Sequence, residues 1–199
     1  MKQWQKAQDA LKKKTLSSAE LGRLGVSRTS LQRWVADGRL VRLSRGLYGL
    51  QELPNTENYS LLSANLQIPS GVICLISALM YHGVTTQLSG DVWIALQGRS
   101  HCPRFEYPKI RVHRFTGPAF LEGIEEHRVE GGVLRVYSIE KTIVDLFRLR
   151  NKVGLDVALE ALKDGLRTKK AKLGRIHELA KKLRIYTVMR PYIEAEVSG

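Results

Sequence analysis

Cysteine is scarce in this chain, and its two thiols are widely separated. Cys74 and Cys102 stand 28 positions apart, outside any C-x-x-C pair or clustered set of histidines. A structural zinc site needs four ligands, and His101 beside Cys102 supplies too few. A disulfide framework needs several spaced cysteines. The sequence therefore predicts no metal and no cofactor, and it places Cys74 in the core.

Long apolar runs are also missing. The longest apolar stretch, Val72 to Tyr81, is interrupted by Ser77 and is too short to cross a bilayer. The opening residues, Met1 to Trp4, lack the apolar run of a signal peptide. We therefore expect a soluble, cytoplasmic protein without a membrane partner.

Acidic residues are the third scarcity, with 19 Asp and Glu against 32 Lys and Arg and a net charge of +13. Residues 1–50 contain eleven basic and three acidic residues, residues 51–145 contain eight and ten, and residues 146–199 contain thirteen and six. Basic charge at both ends indicates an anionic partner held by the N-terminal part. The basic C-terminal helices would contact DNA, RNA or only solvent, and the sequence leaves these alternatives open.

What the chain does contain is a helix-turn-helix pattern near its N-terminus. Ser17 and Glu20 have the spacing of a capping box, which predicts a helix that begins near Ser18. Gly25 can supply the turn, and Ser27 can cap a second helix.

The second helix, predicted to run to about Asp37, has two distinct faces. Leu31, Trp34 and Val35 recur at i, i+3 and i+4, so they are expected to face inward. Arginine pairs with guanine, glutamine pairs with adenine, and threonine contacts bases or backbone. Side chains of these types occupy the outward positions of the helix: Arg28, Thr29, Gln32 and Arg33.

A basic hairpin is predicted to follow this helix. Gly38 ends the helix, Leu40 to Ser44 form one strand, and the chain returns through Leu47 to Leu50. An arginine at the hairpin tip suits a phosphate or a narrow minor groove. We therefore predict a winged helix-turn-helix domain, for which protein contact is the alternative use. The predicted DNA-binding residues are Ser27, Arg28, Thr29, Gln32, Arg33, Arg42, Ser44, Arg45 and Gly46.

The whole chain is predicted to belong to the α+β class, with two domains. A leading helix is expected over residues 3–14, and residues 51–58 have the composition of a linker. The predicted domains are a winged helix-turn-helix domain over residues 1–52 and a mixed α/β C-terminal domain over residues 59–199. Within the second domain, strands are expected at 92–96, 110–115, 126–129 and 133–137, and helices at 59–67, 73–82, 155–166, 173–183 and directly after Ser138.

An enzyme is the competing hypothesis, in the form of a nuclease or nucleotide-modifying enzyme that uses the winged domain for targeting. It depends on Asp91, Glu106 and Lys109. Two residues separate Glu106 from Lys109, so they do not alternate onto one face of a strand as a metal nuclease requires. The five histidines are dispersed along the chain, and no phosphate-binding loop is present. We therefore expect no catalytic residues.

Three segments carry a resemblance to a known family. The pattern L-x-x-L-G-V-S-R-x-x-L-x-R-W-V-x-x-G-x-L-x-R-L-x-R-G-L-Y, from Leu21 to Tyr48, resembles the winged head of the AbiEi antitoxins of bacterial abortive-infection, type IV toxin-antitoxin systems. Residues 71–79 with His82-Gly83, and residues 138–146, are similar to segments that recur in the same family.

The resemblance implies a two-part antitoxin. The head would bind inverted repeats in the promoter of its own operon and repress it. The second domain would counteract a co-encoded nucleotidyltransferase toxin without forming a stable complex with it. The family pattern carries DNA contact over to Arg28, Thr29, Gln32 and Arg33 on the helix and to Arg42, Arg45 and Gly46 in the wing.

Overall fold

The structure, a computed structural model, describes residues 2–12, 15–44, 46–50, 58–87, 89–103, 108–129 and 132–198. It has a mixed α+β architecture with two sheets, as the sequence predicts. The predicted linker falls on residues 51–57, which lie outside the described residues, so the division into 1–52 and 59–199 stays a prediction.

The N-terminal part is a small helical unit with a three-stranded sheet in the order β1-β3-β2. Its elements are α1 (Lys2–Leu11), β1 (Leu16–Ser17), α2 (Ser18–Arg23), α3 (Arg28–Ala36), β2 (Leu40–Ser44) and β3 (Leu47–Leu50). Helix α1 ends sooner than the predicted 3–14. The core of this unit consists of apolar side chains from the three helices, strands β1 and β2 and the turn between α2 and α3: Ala7, Leu11, Leu16, Leu21, Val26, Leu31, Trp34 and Leu40.

The C-terminal part is built on a five-stranded mixed sheet in the order β6-β5-β4-β8-β7. Its strands are β4 (Val72–Ile73), β5 (Val92–Gln97), β6 (Ile110–Phe115), β7 (Ile124–Val129) and β8 (Gly132–Tyr137). Its helices are α4 (Tyr59–Gln67), α5 (Leu75–His82), α6 (Pro118–Leu121), α7 (Ile139–Arg148), α8 (Arg150–Val153), α9 (Leu155–Arg167), α10 (Leu173–Lys182) and α11 (Tyr186–Ser198).

Helices cover both faces of the large sheet. Val92, Ile94 and Leu96 of β5 pack with α4 on one side, whereas Trp93 and Ala95 pack with the other helices on the opposite side. A strand buried on both faces needs apolar residues at every position, which explains its continuous apolar run. Strands β7 and β8 pair antiparallel. Glu130 and Gly131, which lie between the two strands in the sequence, are outside the described residues.

The helix predicted from Ile73 to His82 is wrong at its N-terminal end. Val72 and Ile73 form strand β4, and Ile73 pairs with Ile94 on one side and with Val136 on the other. Cys74 caps α5 and is fully buried. Sheet pairing on both sides outweighs the local helical pattern, because it satisfies the backbone of two β-branched residues in the core.

Candidate nucleic-acid interface

Helix α3 is held in place by contacts from the first helix. The Trp4 and Trp34 rings meet edge to face, with centroids 4.8 Å apart. The Gln3 side-chain amide donates a hydrogen bond to the carbonyl oxygen of Gly25, in the turn between α2 and α3. These contacts fix the inner face of α3 against the core and leave the opposite face open to solvent.

Both helix starts have the predicted caps. Glu20 amide donates to Ser17 Oγ at 3.1 Å, and the Ser17 amide donates to the Glu20 carboxylate at 2.8 Å. At α3, Ser27 Oγ accepts from the Ser30 amide at 3.1 Å. The Ser27 hydroxyl therefore orients the helix start, where backbone N–H groups without intrahelical partners favour an anion.

The outward face of α3 has the side chains that the pattern predicts. Leu31 and Trp34 are buried, whereas Arg28, Gln32 and Arg33 are exposed, as is Thr29. Within the described part of the chain, the guanidinium groups of Arg28 and Arg33 form no ion pair. Exposed, uncompensated arginines create the positive potential that attracts a phosphate backbone.

The hairpin of β2 and β3 is antiparallel, and Arg42 stands opposite Tyr48 across it. The register shifts between Arg42 and Ser44, so a bulge lies next to the turn. Gly46 has a positive φ of 81°, a conformation that favours glycine.

Helix α3 and the hairpin share one cleft of about 520 Å³. Arg28 and Gln32 line it from the helix, and Arg42 and Gly46 line it from the hairpin. Arg28 and Gln32 are one helical turn apart and therefore lie on the same side of α3. Four of the nine residues predicted for DNA contact are thus brought to one concave surface.

The other predicted residues are placed differently. Thr29 and Arg33 are exposed on α3 but do not line the cleft, and Ser27 lies at the helix start. The side chain of Ser44 and all of Arg45 lie outside the described residues. Sequence reasoning did not assign three of the residues that line the cleft, which are Ser18, Leu31 and Tyr48. For Tyr48, the predicted hairpin was the available signal, because Tyr48 stands opposite Arg42 across it.

The residues behind the enzyme hypothesis do not form a described site. Asp91 accepts from Arg111 at 3.3 Å in an exposed ion pair, and Glu106 lies outside the described residues. Among the residues that the structure describes, no three His, Cys, Asp or Glu side chains are grouped as metal ligands.

The most deeply buried charges lie on α7 instead. Lys141 is fully buried and pairs with Asp145, which also accepts from Arg148 at 2.9 Å. Burial lowers the pKa of Lys141 and raises the pKa of Asp145, because removal from water disfavours the charged form of each. The ammonium group also lies 4.2 Å from the centre of the Tyr137 ring. Because Lys141 and Asp145 are 0% and 1% exposed, we assign this cluster to the core.

The N-terminal part of the chain matches the model of a known protein family. Residues 9–51 match the family model described as "Transcriptional regulator, AbiEi antitoxin". Residues 9–51 are therefore similar to the AbiEi antitoxin family, and the resemblance predicted from the sequence is confirmed for this segment. That family consists of transcriptional regulators and antitoxins rather than enzymes.

A solved structure has a similar fold over most of the length of this chain. The crystal structure of RV2827C protein from Mycobacterium tuberculosis aligns with a TM-score of 0.63 at 14% identity, covering 91% of this chain and 72% of that chain. At this identity the likeness establishes the fold alone. No curated protein sequence matches the chain. None of the helices in the described ranges has the length and apolarity needed to cross a membrane.

Proposed function

We propose that this protein is a DNA-binding antitoxin that represses its own toxin-antitoxin operon from the cytoplasm. The observation that carries the proposal is the convergence of Arg28, Gln32 and Arg42 on one cleft within the segment that matches the AbiEi family. In this proposal residues 1–52 form a winged helix-turn-helix domain, α3 enters the major groove and the β2–β3 hairpin acts as the wing.

Each part of the surface has a distinct task in this proposal. Gln32 and Arg28 have donor groups suited to base edges. Arg28 is the first residue of α3 and Gln32 lies one turn further along, and recognition helices approach bases with their N-terminal residues. Arg42 on the hairpin and the outermost side chains, Thr29 and Arg33, contact the flanking backbone. Ser27 presents the start of α3 to a phosphate, and Ser44, Arg45 and Gly46 complete the wing.

Repression tests this part of the proposal in cells. The operon's own promoter would drive a reporter, with the protein supplied from a second plasmid under an unrelated promoter. Wild-type protein should repress the reporter, and the Arg28→Ala/Arg33→Ala variant should not. The matched control is Arg99→Ala/Arg128→Ala, which removes the same charge from exposed positions in the C-terminal part. Equal repression by the first variant and wild type would contradict the assigned surface.

The antitoxic half of the proposal concerns residues 59–199. We propose that this part counteracts a co-encoded nucleotidyltransferase toxin without a stable complex. Co-expression separates this role from repression, because the antitoxin can be supplied from an unrelated promoter. The Arg28→Ala/Arg33→Ala variant should then still protect growth against the toxin. Loss of protection with normal antitoxin levels would show that antitoxicity requires the DNA-binding surface.

A further inference from the structure

Three polar side chains form a continuous hydrogen-bond chain at one end of the large sheet. Tyr81 Oη lies 2.8 Å from His127 Nδ1, and His127 Nε2 lies 3.0 Å from the Glu125 carboxylate. Tyr81 belongs to the last turn of α5, and the other two residues belong to β7. The three side chains therefore come from two segments that are 46 positions apart at the tyrosine–histidine contact.

The hydrogen bonds select one arrangement of the imidazole protons. A carboxylate accepts only, so His127 Nε2 carries the proton and donates to Glu125. The lone pair on Nδ1 is then free to accept the hydroxyl proton of Tyr81. A hydroxyl bonded to an imidazole that a third group orients is the arrangement of an activated nucleophile and its base.

The chain is open to solvent rather than enclosed. The side chains of His127 and Glu125 are 34% and 43% exposed, and Tyr81 is partly buried. Among the described strands, β7 lies at one edge of the sheet. None of the three residues lines the cleft between α3 and the hairpin. The cluster is thus an accessible site separate from the proposed DNA interface.

The negative charge of Glu125 restricts which electrophile could react at this site. Burial, and then the negative charge of Glu125, raises the pKa of Tyr81. A free phenolate is therefore disfavoured, and the proton must leave for His127 as the new bond forms. The same negative field disfavours an anionic phosphate as the electrophile and is compatible with an uncharged acyl ester.

We propose that Tyr81, His127 and Glu125 form a nucleophilic site that accepts an acyl group from an uncharged activated ester. Tyr81 Oη bonds to the carbonyl carbon, its proton passes to His127 Nδ1, and the bond between that carbon and the leaving oxygen breaks. The leaving group departs with its electron pair or takes the proton back from His127. Glu125 is a positioning residue that holds the imidazole in the required tautomer.

The test uses the full-length protein and p-nitrophenyl acetate as the probe. Peptide mapping after timed incubation gives an acetylation rate for each tyrosine. Tyr48, Tyr59, Tyr186 and Tyr192 are also partly buried and serve as internal references. General-base assistance is worth roughly 10²-fold or more, so Tyr81 should react about 100-fold faster than the references. Tyr81 reacting at the reference rate would overturn the proposal without the need for any variant.

Variants then separate catalysis from structure. His127→Ala should reduce Tyr81 acetylation to the reference rate. Glu125→Gln, whose amide oxygen still accepts from Nε2, should retain more activity than Glu125→Ala. Tyr137 is fully buried and donates to the Phe120 carbonyl oxygen, so its labelling reports any unfolding. An unchanged Tyr81 rate in His127→Ala would overturn the role of His127.

Discussion

The Ser18 amide donates a hydrogen bond to the carbonyl oxygen of Gly46 at 2.7 Å, and this bond ties the β2–β3 hairpin to the start of α2. Strand β1 strengthens the connection, because Leu16 and Ser17 pair with Tyr48 and Leu47 of β3. The hairpin is therefore fixed relative to the helices. A fixed hairpin lets Arg42 and Arg28 act on the same ligand.

Gly46→Ala should loosen this connection. Its φ of 81° is costly for a residue with a side chain, and an added Cβ would lie 3.3 Å from Ser18 Oγ. A left-handed conformation costs about 1–2 kcal/mol for an L-residue, so unfolding by urea should show a loss of that size. DNA affinity should fall as well.

Gly22→Ala is the matched control for that change. Gly22 lies inside α2, and no atom lies within 4 Å of an added Cβ. Alanine in a helix interior is favoured over glycine by about 0.5–1 kcal/mol, so this variant should be more stable than wild type. Equal stability of the two variants would show that the Gly46 conformation is not constrained.

Arg28→Ala and Arg42→Ala should weaken DNA binding in different ways. If Arg28 contacts a base, its loss should cost about 1–3 kcal/mol and relax specificity at one base pair. If Arg42 contacts a phosphate, its loss should weaken binding to all sequences and reduce the salt slope by about one unit. Titration of a set of single-substitution operators over a salt series distinguishes the two patterns. The opposite pattern would show that Arg42 contacts a base and Arg28 contacts a phosphate. If neither substitution changes DNA affinity, the cleft is not part of the DNA interface.

The buried ion pair on α7 predicts an order of stabilities. Asp145→Ala leaves the Lys141 ammonium buried without a carboxylate, which should cost about 3–5 kcal/mol. Lys141→Met should cost less, because Asp145 keeps its bond to Arg148, which is 27% exposed. The free energy of unfolding from urea titrations measures both. A Lys141→Met variant less stable than Asp145→Ala would contradict this account of the cluster.

His113 predicts a pH dependence of stability. Its ring stacks on Trp93 with centroids 4.9 Å apart, and burial, with the charges of Lys152 and Arg111, lowers its pKa from 6.5. Below pH 6.5, the unfolded chain therefore binds more protons than the folded protein does. As a result, the free energy of unfolding decreases as pH falls through 6.5 toward the pKa of His113 in the folded protein.

His113→Phe keeps the stacked ring and removes the titration. Between about pH 7.5 and about pH 5, its free energy of unfolding should therefore decrease less than that of wild type. Parallel curves for wild type and His113→Phe would show that His113 does not contribute.

The sequence predicted the N-terminal helices well because their signals are local. Ser17 with Glu20, and Ser27 with Ser30, are caps set by residues three positions apart, and the inward positions of α3 follow from helical spacing alone. The predicted outward side chains are exposed as expected. Residue spacing does not predict the cleft, because Tyr48 reaches it through strand pairing and Ser18 lies beside it through a backbone hydrogen bond to Gly46.

The C-terminal part depends more on distant contacts, and the predictions were weaker there. Strand β4 exists only because β5 and β8 flank it, and no local pattern specifies both neighbours. Helix α7 has Lys141 and Asp145 in the core, where their types suggest the surface. Helices α6, α8 and α11 were not predicted. Tyr81 and His127 meet across 46 positions, so the dispersed histidines gave no sign of that contact.

The measurement that tests the central claim most directly is a fluorescence-anisotropy titration of the full-length protein. It compares the operon's own promoter duplex with a scrambled duplex of equal length, across a salt series. The account predicts binding to the promoter at least about a thousandfold tighter than to the scrambled duplex, with a steep fall in affinity as salt rises. Equal affinity for the two duplexes would contradict the proposal that α3 recognises operator DNA.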